Sequence, residues 1–518
     1  MTDDNSTVTI ASNTAAPEGA IGTRFIDTDD DTVNVTGGQT TVAQQTIVAV
    51  TFNDAETMNL TTNPNTAGTA TIYTSIGGTD LTTFNVGGLG KTQITAFSGA
   101  TLMTKIDASG SGGGLVMPAT NPSATFGVTI IGSEKADTLE GGTSASRGDT
   151  ISGNGGADII QGGAGPDTIS GGAGNDIIRG EGGIDNLTGG AGNDTFINEV
   201  VADFEGLATP EQIDGGEGGL DILNFGASVN WTIEATDMEG VSGIERITVS
   251  TDETTQDTLA LNDKFFANNG NTIDIRDTDA DVGLTVSLAS VTSADYSATI
   301  YSANGNAKND LFTGGPGNDT FVFASTNDAD VIDGSDTVAG GTGSDTLVIT
   351  TLTIAAAITA TTTVTSVENF TFKGVGTTAS AYTLADASVV TSALQSNTGT
   401  IDATGMTGSG GLTFNGVAEN DSALNITGGR GADTLTGGDA TASLFDGSGL
   451  FDTIRGGDGA DIIDGQAGID MLYGEGGNDT FRATASGDFI SLTSPETVDG
   501  GTGTDNLTFD IDGGISVA

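Results

Sequence analysis

The chain has 518 residues, with 69 acidic residues against 14 basic ones, a net charge of −55, no Cys and no His. That charge argues against nucleic acid or an anionic membrane surface as partner, and it makes the compact chain repel itself unless cations bind. The missing residue types exclude disulfides, thiol and Ser-His-Asp nucleophiles, HExxH zinc sites and most zinc ligation. Stability must therefore come from packing and from metal. The start, MTDDNSTVTIASNTAAPEGA, has neither the basic opening nor the apolar run of a secretory signal. The most apolar run, VITTLTIAAAITA, is short and threaded with Thr, so no membrane span is expected.

Residues 1–131 hold short alternating runs such as TVNVTG and QTIVAVTF. These read as strands broken by Gly and Asn turns. Residues 132–197 form a first array that reads in nines: GSEKADTLE, then GNGGADIIQ, GGAGPDTIS, GGAGNDIIR, GEGGIDNLT and GGAGNDTFI, with GGTSASRGDTIS inserted after the first. Glycine favours positions one, two and four. Asp holds position six, as Asp137, Asp149, Asp158, Asp167, Asp176, Asp185 and Asp194. A large apolar residue holds position eight, from Leu139 and Ile151 to Phe196. Glycine reaches backbone angles closed to other residues, so a six-residue turn can curl tightly. Such a turn brings carbonyl oxygens together, and the Asp adds a charged one, which is the chemistry Ca²⁺ prefers. The remaining triplet is a short strand with one inward side chain, and it buries nothing unless neighbours stack. The bland alternative for each Asp is an Asx-turn cap.

Residues 198–304 are a β-rich linker carrying one isolated turn, GGEGGLDILN, with Asp221. Residues 305–348 hold a short second array with Asp310 and Asp319, followed by a satellite turn with Asp345. Residues 349–427 are a second β-rich linker. Residues 428–482 form the third array, with Asp433, Asp452, Asp461, Asp470 and Asp479. Residues 483–518 carry the last satellite turn, with Asp505, and the ending LTFDIDGGISVA, where a resemblance of the arrays to RTX (repeats-in-toxin) proteins would imply an uncleaved export signal. The satellites look like lone turns with no flanking coil, so on sequence they ligate metal or merely end strands.

A longer repeat links these parts. Before each array lies a segment built on one glutamate: Glu56, Glu245 or Glu368. An Ile-Asp step follows, at Asp107, Asp274 and Asp402. Each array closes on GNDTF, and its satellite Asp comes 27, 26 and 26 residues later. Three copies of one module are expected, each part touching mostly its neighbours. The recurrence of the glutamates favours a structural role. DTDADVG, with Asp277, Asp279 and Asp281, departs from an EF-hand loop: its glycine is late, and Leu288 stands where a bidentate Glu belongs. DTDDD at Asp27–Asp31 reads as a solvated turn. NVGGLGKT, ending at Gly90, Lys91 and Thr92, lacks the first glycine and the strand-to-helix setting of a P-loop.

The pattern GGxGxDxUx, with U a large apolar residue, marks calcium-binding parallel β-helices. The arrays resemble the RTX (repeats-in-toxin) family. The resemblance implies a β-roll with two nonapeptides per coil and Ca²⁺ held between successive turns. As a whole the chain is similar to RTX-containing surface-layer proteins of Gram-negative bacteria. The fold class expected is all-β, with parallel β-roll arrays alternating with Thr-rich β-solenoid or β-sandwich segments. The function expected is non-enzymatic: a structural protein that leaves the cell without an N-terminal signal, binds on the order of ten Ca²⁺, and assembles with itself into a layer or filament. The alternatives are an adhesin or matrix protein bound to cell-surface polysaccharide, or a secreted polysaccharide lyase working through paired carboxylates.

Overall fold

The computed structural model describes residues 5–9, 21–23, 32–37, 45–47, 50–52, 55–63, 71–73, 75–117, 127–198, 211–226, 232–250, 256–278, 283–302, 309–325, 336–351, 357–358, 364–374, 380–383, 398–407, 412–416, 423–429, 433–436, 453–458, 460–464, 471–483 and 497–509. Asp452 and Asp470, Asp27–Asp31, Asp279, Asp281 and the ending after Phe509 lie outside the described residues. The chain divides into two compact units, residues 1–227 with 237–248, and residues 228–236 with 249–518.

In the first unit the strand pairings are parallel, and each strand pairs with the one a whole coil away. Early coils carry three strands. One coil runs through Thr57–Thr62, Thr71–Tyr73 and Ile76–Gly77, and the next through Thr83–Gly88, Thr92–Ile94 and Phe97–Ser98. These coils are long: Asn34, Asn59 and Asn85 occupy one column at spacings of 25 and 26 residues. The third face ends at Ser98 among the described residues of this unit. In the first array the coil is flattened to two strands and 18 residues, as between Asp158 and Asp176. The change follows from the sequence. A nonapeptide holds only a turn and a three-residue strand, so two of them close a coil.

Side chains stack in columns because the register is kept from coil to coil. Met58, Phe84, Ile106, Ile130, Ile151, Ile169, Leu187 and Ile213 form one continuous inward column through both coil types. All eight are buried. Leu139, Ile160, Ile178, Phe196 and Leu223 face them from the other sheet. Outside, Asn59 Nδ2 donates to Asn34 Oδ1 and Asn85 Nδ2 to Asn59 Oδ1, each at 2.8 Å. Asn85 and Gly90 of the near-miss P-loop therefore belong to a strand and its turn.

The second unit repeats this plan. Leu259, Val286, Phe312, Val338 and Val364 form one column, and Ile300, Phe321, Leu347, Phe370, Ile401, Ile426, Ile454 and Leu472 another. The Thr-rich linkers are thus solenoid coils and not sandwiches. Among the described residues one short α-helix, Asp263–Asn269, interrupts the strands. Asn262 caps it by accepting from the amides of Lys264 and Phe265, and Phe266 stacks on Tyr296 at 5.2 Å between centroids. No helix among the described residues is long and apolar enough to cross a membrane.

The columns make a direct test. Ile169→Ala is expected to cost about 2–5 kcal/mol, since the stacked coils cannot close the hole. Thr168→Ala, one residue away but facing solvent, is expected to stay within about 0.5 kcal/mol. Denaturant unfolding in Ca²⁺ measures both.

Candidate metal centres

Each described array aspartate immediately precedes a strand, so its side chain sits where two coils meet. Past the first on each side of an array, Oδ1 accepts the backbone N–H of the aspartate one coil earlier. Asp137 N donates to Asp158, Asp158 to Asp176, Asp176 to Asp194 and Asp194 to Asp221, at 2.7–2.8 Å. On the other side Asp149 N donates to Asp167 and Asp167 to Asp185, at 2.6 and 2.7 Å. The second unit has the same ladders: Asp319 to Asp345 at 2.8 Å, and Asp433 to Asp461, Asp461 to Asp479 and Asp479 to Asp505 at 2.7–3.0 Å.

The second oxygen separates two groups. In Asp158, Asp167, Asp176, Asp194, Asp345 and Asp479, Oδ2 is buried with no hydrogen-bond partner. At the array openings both oxygens are satisfied by the chain. Asp137 takes Leu115 N at 2.5 Å and Ser133 N at 2.6 Å. Asp149 takes the amides of Val128 and Gly142. Asp319 takes Ala298 N and Gly315 N, and Asp433 takes Leu412 N and Gly429 N. Asp310 takes Leu284 N and Ser302 Oγ. The openings thus fit the capping alternative, and the six aspartates named above have an oxygen to spare.

The spare oxygens face carbonyls across glycine. A Cβ placed on Gly153 would lie 2.2 Å from Asp158 Oδ2 and 2.4 Å from the carbonyl oxygen of Gly171 in the next coil. Gly162, Gly171, Gly189 and Gly474 stand in the same relation to Asp167, Asp176, Asp194 and Asp479, each with a glycine carbonyl opposite. Position one is therefore glycine for space. Position four is glycine for conformation: Gly174 has φ 136° and Gly183 φ 145°, a region closed to L side chains. Position two, at φ 70° in Asn154 and 68° in Glu181, admits other residues.

Several members of the ladders are not nonapeptide aspartates. Glu211 accepts from Asp185 N at 3.4 Å, Glu245 from Asp221 N at 2.7 Å and Glu368 from Asp345 N at 2.8 Å. Asp336 accepts from Asp310 N at 2.9 Å. Each opens the same carboxylate-x-apolar triplet as the array units: Glu211-Gln212-Ile213, Glu245-Arg246-Ile247, Glu368-Asn369-Phe370 and Asp336-Thr337-Val338. The satellites are likewise not lone turns. Asp221 and Asp345 are buried, with a coil on either side, while Asp505 is partly exposed. Asp277 is buried at the end of strand Thr272–Asp277.

Burial dominates the electrostatics. It pushes Asp158 and Asp167 up to about 7, Asp194, Asp221, Asp319 and Asp433 to about 6, and Asp345 to about 8. For Asp158, Asp167, Asp194, Asp221 and Asp345, neighbouring ladder carboxylates add to the rise. Three described ion pairs lie off the ladders: Lys105 pairs with Asp107, Arg276 with Asp274 and Arg455 with Glu475, at 2.9–3.0 Å. Among the described residues no three acidic side chains converge into one cluster. A cation shell of roughly six to eight oxygens must draw mainly on carbonyls. Buried carboxylate oxygens without partners, opposite main-chain carbonyls and with no nitrogen or sulfur donor, fit Ca²⁺. Asp158, Asp167, Asp176, Asp194 and Asp479, with the facing glycine carbonyls, are the residues that would hold it.

A family model described as the RTX calcium-binding nonapeptide repeat (4 copies) matches residues 152–187, 170–199, 302–329, 331–348, 425–441 and 446–490. No curated protein matches the chain.

Two outcomes are expected. The raised carboxyls bind protons more tightly folded than unfolded, where they titrate near 4. Their contribution is complete below about pH 4 and lost as pH rises through 6 to 8. The Ca²⁺-free chain is therefore expected to hold more β signal at pH 5 than at pH 8, and added Ca²⁺ to raise that signal most at pH 8. Gly171→Ala, which places a methyl group 2.3 Å from Asp176 Oδ2, is expected to weaken Ca²⁺ binding in a calorimetric titration. An unchanged isotherm would show that this corner is not a site.

Proposed function

The chain carries RTX calcium-binding nonapeptide repeats, and on that premise we propose an extracellular structural protein that folds on Ca²⁺ and assembles with copies of itself into a surface layer or filament. The observation that carries this reading is the row of buried carboxylate oxygens left over once the backbone ladders are complete. Cytosolic Ca²⁺ is too dilute to fill such corners. The chain then stays loose enough for export and gains its structure outside, where binding free energy becomes folding free energy. About ten ions would cancel about twenty of the negative charges.

Self-assembly has its own support. Val498 and Leu507 continue the columns of Leu472 and Phe481, yet they are 36% and 45% exposed. Exposed apolar side chains in such a column support contact with another chain.

Circular dichroism in EGTA is expected to lose most of its β signal, and millimolar Ca²⁺ to restore it. Electron microscopy with Ca²⁺ is expected to show ordered arrays or fibres. Dispersed monomers that bind polysaccharide would favour the adhesin instead.

A further inference from the structure

We propose that the two loops in which a glutamate ends a ladder are divalent-cation sites in their own right, built from Asp221, Gly243 and Glu245 in the first unit and from Asp345, Ser366 and Glu368 in the second. The proposal rests on the calcium reading of the arrays and extends it to residues that the nonapeptide pattern does not cover. The stretches matched by the repeat model end at residues 199 and 348, before both glutamates.

Asp345 is the clearest observation. It is fully buried, its Oδ1 is taken by Asp319 N–H, and its Oδ2 has no partner. A Cβ on Gly340 would lie 2.5 Å from that oxygen and 1.8 Å from the carbonyl oxygen of Ser366. The two oxygens thus border one small space, as Asp158 Oδ2 and the Gly171 carbonyl do in the array. The carbonyl here comes from a different source. It belongs to the residue two before Glu368, held at φ 54° although it is a serine. Glu368 is itself buried, and its Oε2 accepts Asp345 N–H at 2.8 Å. A second full carboxylate therefore stands beside the first.

The first unit repeats the arrangement. A Cβ on Gly215 would lie 1.9 Å from the Gly243 carbonyl oxygen and 2.8 Å from Asp221 Oδ2. Gly243, two before Glu245, has φ 65°, and Glu245 Oε2 accepts Asp221 N–H at 2.7 Å. The loops share a sequence form, Ser242-Gly243-Ile244-Glu245 and Thr365-Ser366-Val367-Glu368, with Ile244 and Val367 buried as anchors. Two carboxylates and a carbonyl suit a hard cation of the Ca²⁺ class. An ion there would tie the last glycine turn of an array to the glutamate coil that follows it.

The test counts ions on the full chain by native mass spectrometry in Ca²⁺. Glu245→Gln and Glu368→Gln keep an oxygen to accept the aspartate N–H, so the ladders persist. Each is expected to bind one ion fewer than the unaltered chain, and the double variant two fewer. Unchanged counts would reduce the glutamates to ladder ends and overturn the proposal. Hydrogen–deuterium exchange on the unaltered chain gives an answer independent of the variants. Peptides spanning Gly340–Asp345 and Ser366–Asn369 are expected to gain protection at the same Ca²⁺ concentration. Protection at the array corners with none at Ser366–Asn369 would overturn this proposal alone. No response anywhere would bring down the calcium reading itself.

Discussion

A buried carboxylate with one oxygen spoken for and one to spare is the constraint on which the arrays depend. Oδ1 of each interior aspartate continues the backbone ladder, so the side chain behaves as part of the main chain. In Asp158, Asp167, Asp176, Asp194, Asp345 and Asp479, Oδ2 is left in a buried corner, where an unpaired charge costs several kcal/mol. Repeating that corner along two sides makes the ion-free array a stack of like charges. The upward pKa shifts state the same fact in protons: the fold without cations pushes these groups toward neutrality. A cation removes the conflict without altering a hydrogen bond, because the ladder does not use the oxygen it would take.

The Thr-rich coils solve the stacking problem by other means. Their columns hold larger side chains such as Phe52, Tyr73 and Phe84, and a third strand widens the coil to receive them. Their outer face is held by the Asn34–Asn59–Asn85 chain of amide hydrogen bonds, neutral at every step. On the proposed reading, metal dependence is local to the arrays and their borders. It spreads along the chain because the inward column passes from one coil type to the other without a break.

The period of nine was legible, since position one, position four, Asp and the apolar residue each answer a separate physical demand. The third strand per coil was not. A three-residue Thr-rich strand alternates the same way whether its neighbour is parallel or antiparallel, so solenoid and sandwich stayed open. Asp221 and Asp345 read as lone turns for a related reason: the coil after each carries Glu where the pattern looks for Asp. Glu211 and Asp336 escape the nonapeptide pattern because the sequence before them lacks the GGxG signature, although the carboxylate-x-apolar triplet is there to be read. The helix Asp263–Asn269 was signalled by Asn262 and Gly270, a capping residue and a stop, within a segment otherwise read as strands.

Why glutamate should stand at the ends follows from reach. Inside an array the regular turn has six residues, so the shorter aspartate arm spans the gap to the next coil. At Glu245 and Glu368 the turn is replaced by a loop with buried Ile244 or Val367, and the backbone approaches along a different path. One more methylene lets the carboxylate reach the same N–H at 2.7–2.8 Å. The nonapeptide is thus one way of meeting a more general condition: a carboxylate in line with the backbone ladder, opposite a carbonyl, with an apolar residue two positions on to fix it to the core.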